Sequence, residues 1–297
     1  MKKLAGLALS TMLALSAFSI VPEAYAKELN KEKEDTISVV KDYMDKHVPE
    51  LIHDLEKLKS KKIENSEEIE KVIEEHYKKF PAPQEMNDSS LSVEDVFPEK
   101  SKALKLYNAK NKNKFSVGNF MEKHNSPAGY GQFIDFNKKD GELVVYVGDA
   151  GEVIIQSLST IEEPSLNAKE VKASATAKKT ERKESRYEFY NGWGLKALEV
   201  WAKGQFEYDG KKVKAVYNDG DWKKYVGGTI LTVDERALGK VRNFSEEKEE
   251  YCEVYTRLRA EGIIGWKYFG ITLNTEIFEV YVGSTVKGST YGGINEL

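Results

Sequence analysis

Four histidines, one cysteine and a scatter of acidic residues are the side chains of this 297-residue sequence that could cleave, transfer or ligate. His47 and His53 are six residues apart, which on a helix turns them about 240° from one another and away from a shared metal. His76 falls on an apolar stripe and reads as a half-buried core residue. His124 lies in "KHNSPAGYG", with no Cys and no second His in ligand spacing, so zinc is not indicated. No His follows His124, so Cys252 and the later serines have no nearby base, and neither a G-x-S-x-G elbow nor an H-E-x-x-H pair occurs. In "EEYCEVYTRLRA" alternation places Tyr251, Glu253, Tyr255, Arg257 and Arg259 on one strand face. Cys252, Val254, Thr256, Leu258 and Ala260 take the other, which predicts a buried, inert thiol. Asp219 and Asp221 of "YNDGDW" read as a tight turn; as a calcium site they are a weak candidate, lacking the long ligand loop of an EF-hand. No catalytic residue and no cofactor is assigned.

The remaining candidates are aromatic. In "YNGWGLKALEVWAKGQFEYDG" the residues Leu198, Val200, Ala202, Gly204, Phe206 and Tyr208 alternate onto one face, the core side of a strand. Trp201 falls on the other face among Glu199, Lys203 and Gln205. A large ring among charges either covers another segment or offers a stacking surface to a sugar. Tyr190, Trp193 and Trp201 are therefore the candidate ligand-binding residues.

The elements that must position them fall into two halves. All seven Pro lie at or before Pro164, all four Trp at or after Trp193, and 15 of 22 Gly at or after Gly192. Residues 27–34 are charged and expected to be disordered. From Asp35 the apolar positions Ile37, Val40, Met44, Val48, Leu51, Leu55 and Leu58 form one helical stripe, with Pro49 predicting a kink or two helices in series. A second helix is expected from Asn65, with Glu68 as its capping-box partner, and Pro81 stops it. The segments "SVEDVF" and "KSKALKLYNA" fit short helices or strands. Three strands then follow in "GQFIDF", "ELVVYV" and "EVIIQSL". The predicted organisation is a signal peptide (1–26), a disordered stretch (27–34) and an α+β module of helical hairpin plus small antiparallel meander (35–160). A linker or edge strand (161–186) leads to an all-β antiparallel sandwich domain (187–297). Its strands are expected at 187–191, 196–208, 212–218, 225–233, 250–260, 266–273 and 276–287, with "RALGKVRNFSEEKEE" as a helical or loop interruption.

The N-terminus has two lysines, an apolar run from Leu4 to Val21 and the small-residue site Ala24-Tyr25-Ala26, the pattern of a secretory signal peptide cleaved after about Ala26. The expected location is extracellular, with no membrane span after signal removal. A net charge of −4 with both signs interspersed gives no footprint for nucleic acid. A single Cys admits no internal disulfide, a habit that fits Gram-positive export.

The run "YNGWGLKALEVWAKGQFEYDGKKVKAVY", preceded by "KASATAKKT", resembles uncharacterised secreted β-sandwich domains of Gram-positive bacteria. The likeness covers about residues 170–290. It is carried by Gly204, Phe206, Tyr208, Asp209 and Gly210 and by the later Trp222, and it implies a fold and no activity. The acidic "SEEKEEYCE" departs from that layout. These observations point to a secreted non-enzymatic protein that binds an extracellular or cell-surface ligand, such as a cell-wall or extracellular polymer, through its sandwich. The alternatives are a bacteriocin-like antagonistic factor with a propeptide-like N-terminal module, and a carboxylate-dependent hydrolase.

Overall fold

The computed structural model describes residues 23–61, 63, 65–88, 91, 93–110, 120–121, 123–124, 130–137, 141–162, 177–228, 231–266 and 269–296. Most of the expected signal peptide, residues 1–22, and residues 163–176 of the expected linker lie outside them. A helical N-terminal region leads into two antiparallel sheets.

Helix α1 (Glu23–Lys57) runs through Pro49 without a break. Val40, Met44, Val48, Leu51 and Leu55 are buried along one stripe, and packing on both sides of the proline holds the helix where its missing N–H would otherwise end it. Residues 27–34 belong to this helix and are not disordered. Their Lys- and Glu-rich composition favours helix once a stripe beyond it is anchored, and Lys33 reaches Asp95 at 3.1 Å. Helix α2 (Glu67–Lys79) opens two residues after the expected Asn65, with Ser66 at its N-cap; Asn65 Oδ1 accepts the Glu67 N–H at 3.0 Å. The two helices form the expected hairpin. The His47 ring stacks on Phe80 at 4.3 Å, and Tyr43 donates to the Phe80 carbonyl at 2.7 Å. Both ambiguous segments are helical, as α3 (Val93–Val96) and α4 (Pro98–Lys110).

The first sheet contains the expected meander β1 (Gln132–Asn137), β2 (Glu142–Val147) and β3 (Val153–Thr160). It does not stop there. Strand β3 pairs along its whole length with β5 (Lys183–Tyr190), β5 pairs with β6 (Lys196–Tyr208), and β6 pairs with β7 (Val213–Lys224). The two-residue β4 (Lys178–Lys179) joins β6 beyond the start of β5. Residues 183–186, expected as linker or edge, thus form part of an interior strand. Their polar composition is compatible with burial because the charges are paired: Lys183 with Glu181 at 3.4 Å, and Glu184 with Arg186 at 2.8 Å and Lys203 at 3.4 Å.

The second sheet is a meander of β8 (Thr232–Glu246), β9 (Glu249–Trp266), β10 (Phe269–Thr285) and β11 (Thr290–Glu296). The sheets therefore divide at 225–231, not at 160–187. Residues 226–228, expected in a strand, form a 3₁₀ turn in which the Gly228 N–H donates to the Tyr225 carbonyl, while the Tyr225 N–H donates to the Ala197 carbonyl. The segment "RALGKVRNFSEEKEE" is strand β8, a bulge between Ala237 and Lys240, and a hairpin turn with Glu247 and Lys248 at positive φ. "YNDGDW" is likewise no turn: it continues β7, with Asp219 opposite Lys203 and Asp221 opposite Trp201. In these last two segments cross-strand pairing outweighs local turn propensity.

The apolar face of β9, including Cys252, Val254 and Leu258, lies against β6; a Cβ on Gly204 would come within 3.2 Å of Val254. One buried cluster runs from Val40 in α1 through Ile155 and Phe206 to Ile294 in β11. Helix α2 joins the first sheet through Tyr77, which donates to the Gly151 carbonyl at 3.0 Å.

Candidate ligand-binding site

The face of the second sheet that bears Tyr251 and Glu253 carries a cluster of aromatic and charged groups. Alternation on β9 presents Tyr251, Glu253, Tyr255 and Arg257 there, as expected. Register aligns the neighbouring strands. Arg242 and Phe244 of β8 sit opposite Glu253 and Tyr251, while Glu279, Tyr281 and Gly283 of β10 sit opposite Arg257, Tyr255 and Glu253. Tyr291 of β11 sits opposite Gly283. Gly283 is the vacancy that shapes the site. A Cβ there would fall 2.5 Å from Tyr291 Cζ, so the glycine lets the Tyr291 ring lie across β10 and reach β9.

An ionic row crosses this face. Tyr291 donates to Glu253 Oε1 at 3.0 Å, and Arg242 Nε donates to Glu253 Oε2 at 2.7 Å. The other end of Arg242 meets Glu279 at 2.5 Å, and Arg257 Nε and a terminal nitrogen donate to Glu279 at 3.0 and 2.7 Å. Two carboxylates thus meet two guanidiniums, and Glu279 is fully buried beneath them. Burial works against the Arg242 charge, but its bond to Glu253 and the charges of Glu253 and Glu279 outweigh this and raise its pKa. Burial first, and Glu253 next, hold the Tyr291 phenol well above its ordinary value, so it stays a donor. The Tyr255 ring lies between the two guanidinium carbons, each at 5.1 Å. At the Arg242–Glu253 end of the row opens a cavity of about 530 Å³ lined by Arg242, Phe244, Glu246, Tyr251, Glu253, Tyr281, Tyr291 and Asn295.

The three aromatics singled out from the sequence do not converge. Tyr190 is 2% exposed, its ring 5.4 Å from the Lys196 ammonium, so it has no face free for a ligand. Trp193 sits in the Asn191–Gly194 turn, half-buried against the core, its N–H bonded to Asn191 Oδ1 at 3.0 Å. Trp201 does lie among charges, as expected, half-buried between Arg186 at 5.1 Å and Lys203 at 5.6 Å. Its position opposite Arg186 is four residues of register from Tyr190. Asp219 faces Lys203 at 3.6 Å, and Asp221 accepts the Trp222 N–H at 2.8 Å. Among the described residues no three or more His, Cys, Asp or Glu are grouped to hold a metal.

A second charged cluster joins α2 to the first sheet. The Lys196 ammonium lies 2.8 Å from Glu70, 2.6 Å from Glu188 and 3.2 Å from Glu199. Burial, opposed by Lys196 and reinforced by Glu70, pushes the Glu188 carboxyl up to about 7. Its side chains are mostly enclosed, which makes it a structural tie. Nothing in the spacing of these residues signals the cluster, since Glu70 is 126 positions from Lys196. No family model, no curated protein and no solved structure matches the chain.

Proposed function

We propose that the protein is exported and acts outside the cell as a non-enzymatic binding protein for an extracellular or cell-surface polymer. The two sheets would close as a β-sandwich, and the tyrosine-rich outer face of the second would meet the ligand. The observation that carries this reading is the open cavity of about 530 Å³, where four aromatic rings surround an internally neutralised Glu–Arg row. It falls within the ~300–1,000 Å³ of typical small-ligand sites, and four of its lining residues are aromatic and four polar or charged. The leader-like N-terminus and the single cysteine support export. No helix among the described residues is long and apolar enough to cross a membrane.

Co-sedimentation of the purified protein with cell walls and insoluble extracellular polymers tests the reading. Wild type is expected to pellet, and Tyr251→Ala with Tyr281→Ala is expected to remain in solution at an unchanged melting temperature. Equal pelleting of both proteins, or of neither, would overturn it.

A further inference from the structure

We infer that the ligand of this face is a neutral saccharide chain, bound with a pyranose ring flat on Tyr291. The inference rests on the proposed binding role of the face and adds the chemistry of what it binds. Tyr291 forms a floor fixed at both ends, by its own strand and by the bond from its hydroxyl to Glu253. Tyr251 and Tyr281 stand on either side, their rings inclined to the floor at 76° and 64° with centroids 6.2 and 6.1 Å away. Phe244 stacks on Tyr251 at 5.2 Å and 11°, so the aromatic surface continues past the floor. A fixed flat ring with two raised neighbours suits a ligand that has one flat apolar face.

The polar lining selects the rest. A charged ligand of either sign would meet a like charge in the lining, Arg242 for a cation and Glu253 and Glu246 for an anion. Arg242 and Glu253 neutralise each other, as do Arg257 and Glu279, so the row itself carries no net charge, and exposed Glu246 leaves a single negative charge at the cavity's edge. The row still presents guanidinium donors and carboxylate acceptors side by side, with the Asn295 amide offering both. Hydroxyl groups donate and accept at once, and a sugar carries them around the edge of a ring whose C–H face is apolar. A neutral saccharide is the ligand class that uses both features. The cavity exceeds one ring in extent, and the Phe244–Tyr251 ledge gives a second stacking position, which favours a chain over a monosaccharide.

The test is titration calorimetry of the full chain against neutral tetrasaccharides of glucose, N-acetylglucosamine, mannose and galactose, with choline and tetragalacturonate as charged probes. At least one neutral tetrasaccharide is expected to saturate a single site, with affinity reduced tenfold or more in Tyr281→Ala. Gly283→Ala, which displaces the floor ring, is expected to match that loss. Tyr291→Phe removes only the anchoring hydroxyl and is expected to weaken binding severalfold, which keeps the test decisive should Gly283→Ala misfold. Binding of choline or tetragalacturonate alone would overturn the saccharide class and leave the face as a binding site. No binding by any probe, with polymer co-sedimentation still lost in the tyrosine variants, would have the same meaning. Saccharide binding unaffected by Tyr281→Ala would place the ligand elsewhere and overturn the inference.

Discussion

Two buried acids give single residues a measurable pH signature. Glu152 is fully buried, accepts the Tyr130 hydroxyl at 2.7 Å, and is pushed by that burial from 4.5 up to about 8. Folded protein therefore holds a proton that the unfolded chain releases near pH 4.5. The resulting stability is complete below that pH and is lost as pH rises through 8, and Glu188 adds the same trend up to about 7. The melting temperature is expected to fall from pH 5 to pH 8.5. Glu152→Gln, which copies the protonated shape, should flatten that fall; an equal slope in the variant would refute the assignment. Cys252 gives a second residue-scale expectation. Burial raises its thiol to about 11, so it should resist thiol reagents in native protein at pH 8 and react on unfolding. Its burial was legible in the alternation of "YCEVYTRL", because period-two patterning reports faces directly. The same alternation displayed Tyr251, Glu253, Tyr255 and Arg257 together. What it did not display was the site, since Arg242, Gly283 and Tyr291 arrive from other strands through register.

Among the elements, α2 depends most on a long-range contact. Lys196 ties Glu70 of the helix to Glu188 and Glu199 of the sheet. Replacing it by Met removes the only cation bonded to Glu188 among the described residues and leaves a fully buried carboxyl against Glu70. Lys196→Met is expected to destabilise the fold by ~1–3 kcal/mol at neutral pH, the cost of a buried polar group left without its partner, because Glu188, already raised to about 7, takes up a proton when the ammonium is gone. Adding Glu188→Gln should recover most of that loss in a double-mutant cycle read by denaturant unfolding. Additive losses would show that the two side chains are not coupled. The helices themselves and β1, β2, β3 and β6 were readable as periodic runs. Strand β8 was not, because Gly239 and the acidic "SEEKEE" carry loop signals locally while the ladder to β9 holds the segment extended.

For the whole molecule, the decisive feature is the pairing of β3 with β5 across the compositional boundary. It puts the N-terminal meander and the Trp-rich half in one sheet, with one continuous buried cluster. A fragment starting at Tyr187 would lose most of β5's polar start and the whole of β3, exposing a buried ladder. Residues 187–297 alone are therefore expected to show no cooperative thermal transition, and limited proteolysis of the intact protein to release no resistant fragment from near residue 187. A cooperative transition in the isolated piece would refute this.

Periodicity within the sequence determined the two long helices, strands β1, β2, β3 and β6, and which of their faces are apolar, because those patterns are local consequences of backbone geometry. The lone cysteine likewise excluded an internal disulfide. Only the tertiary structure decided that two halves of different composition share a sheet. It alone placed Trp201 between two cations and gathered the tyrosine face around Gly283. Pairing and register join residues far apart in the chain, and the free energy that selects one register over another comes from contacts that no single segment contains.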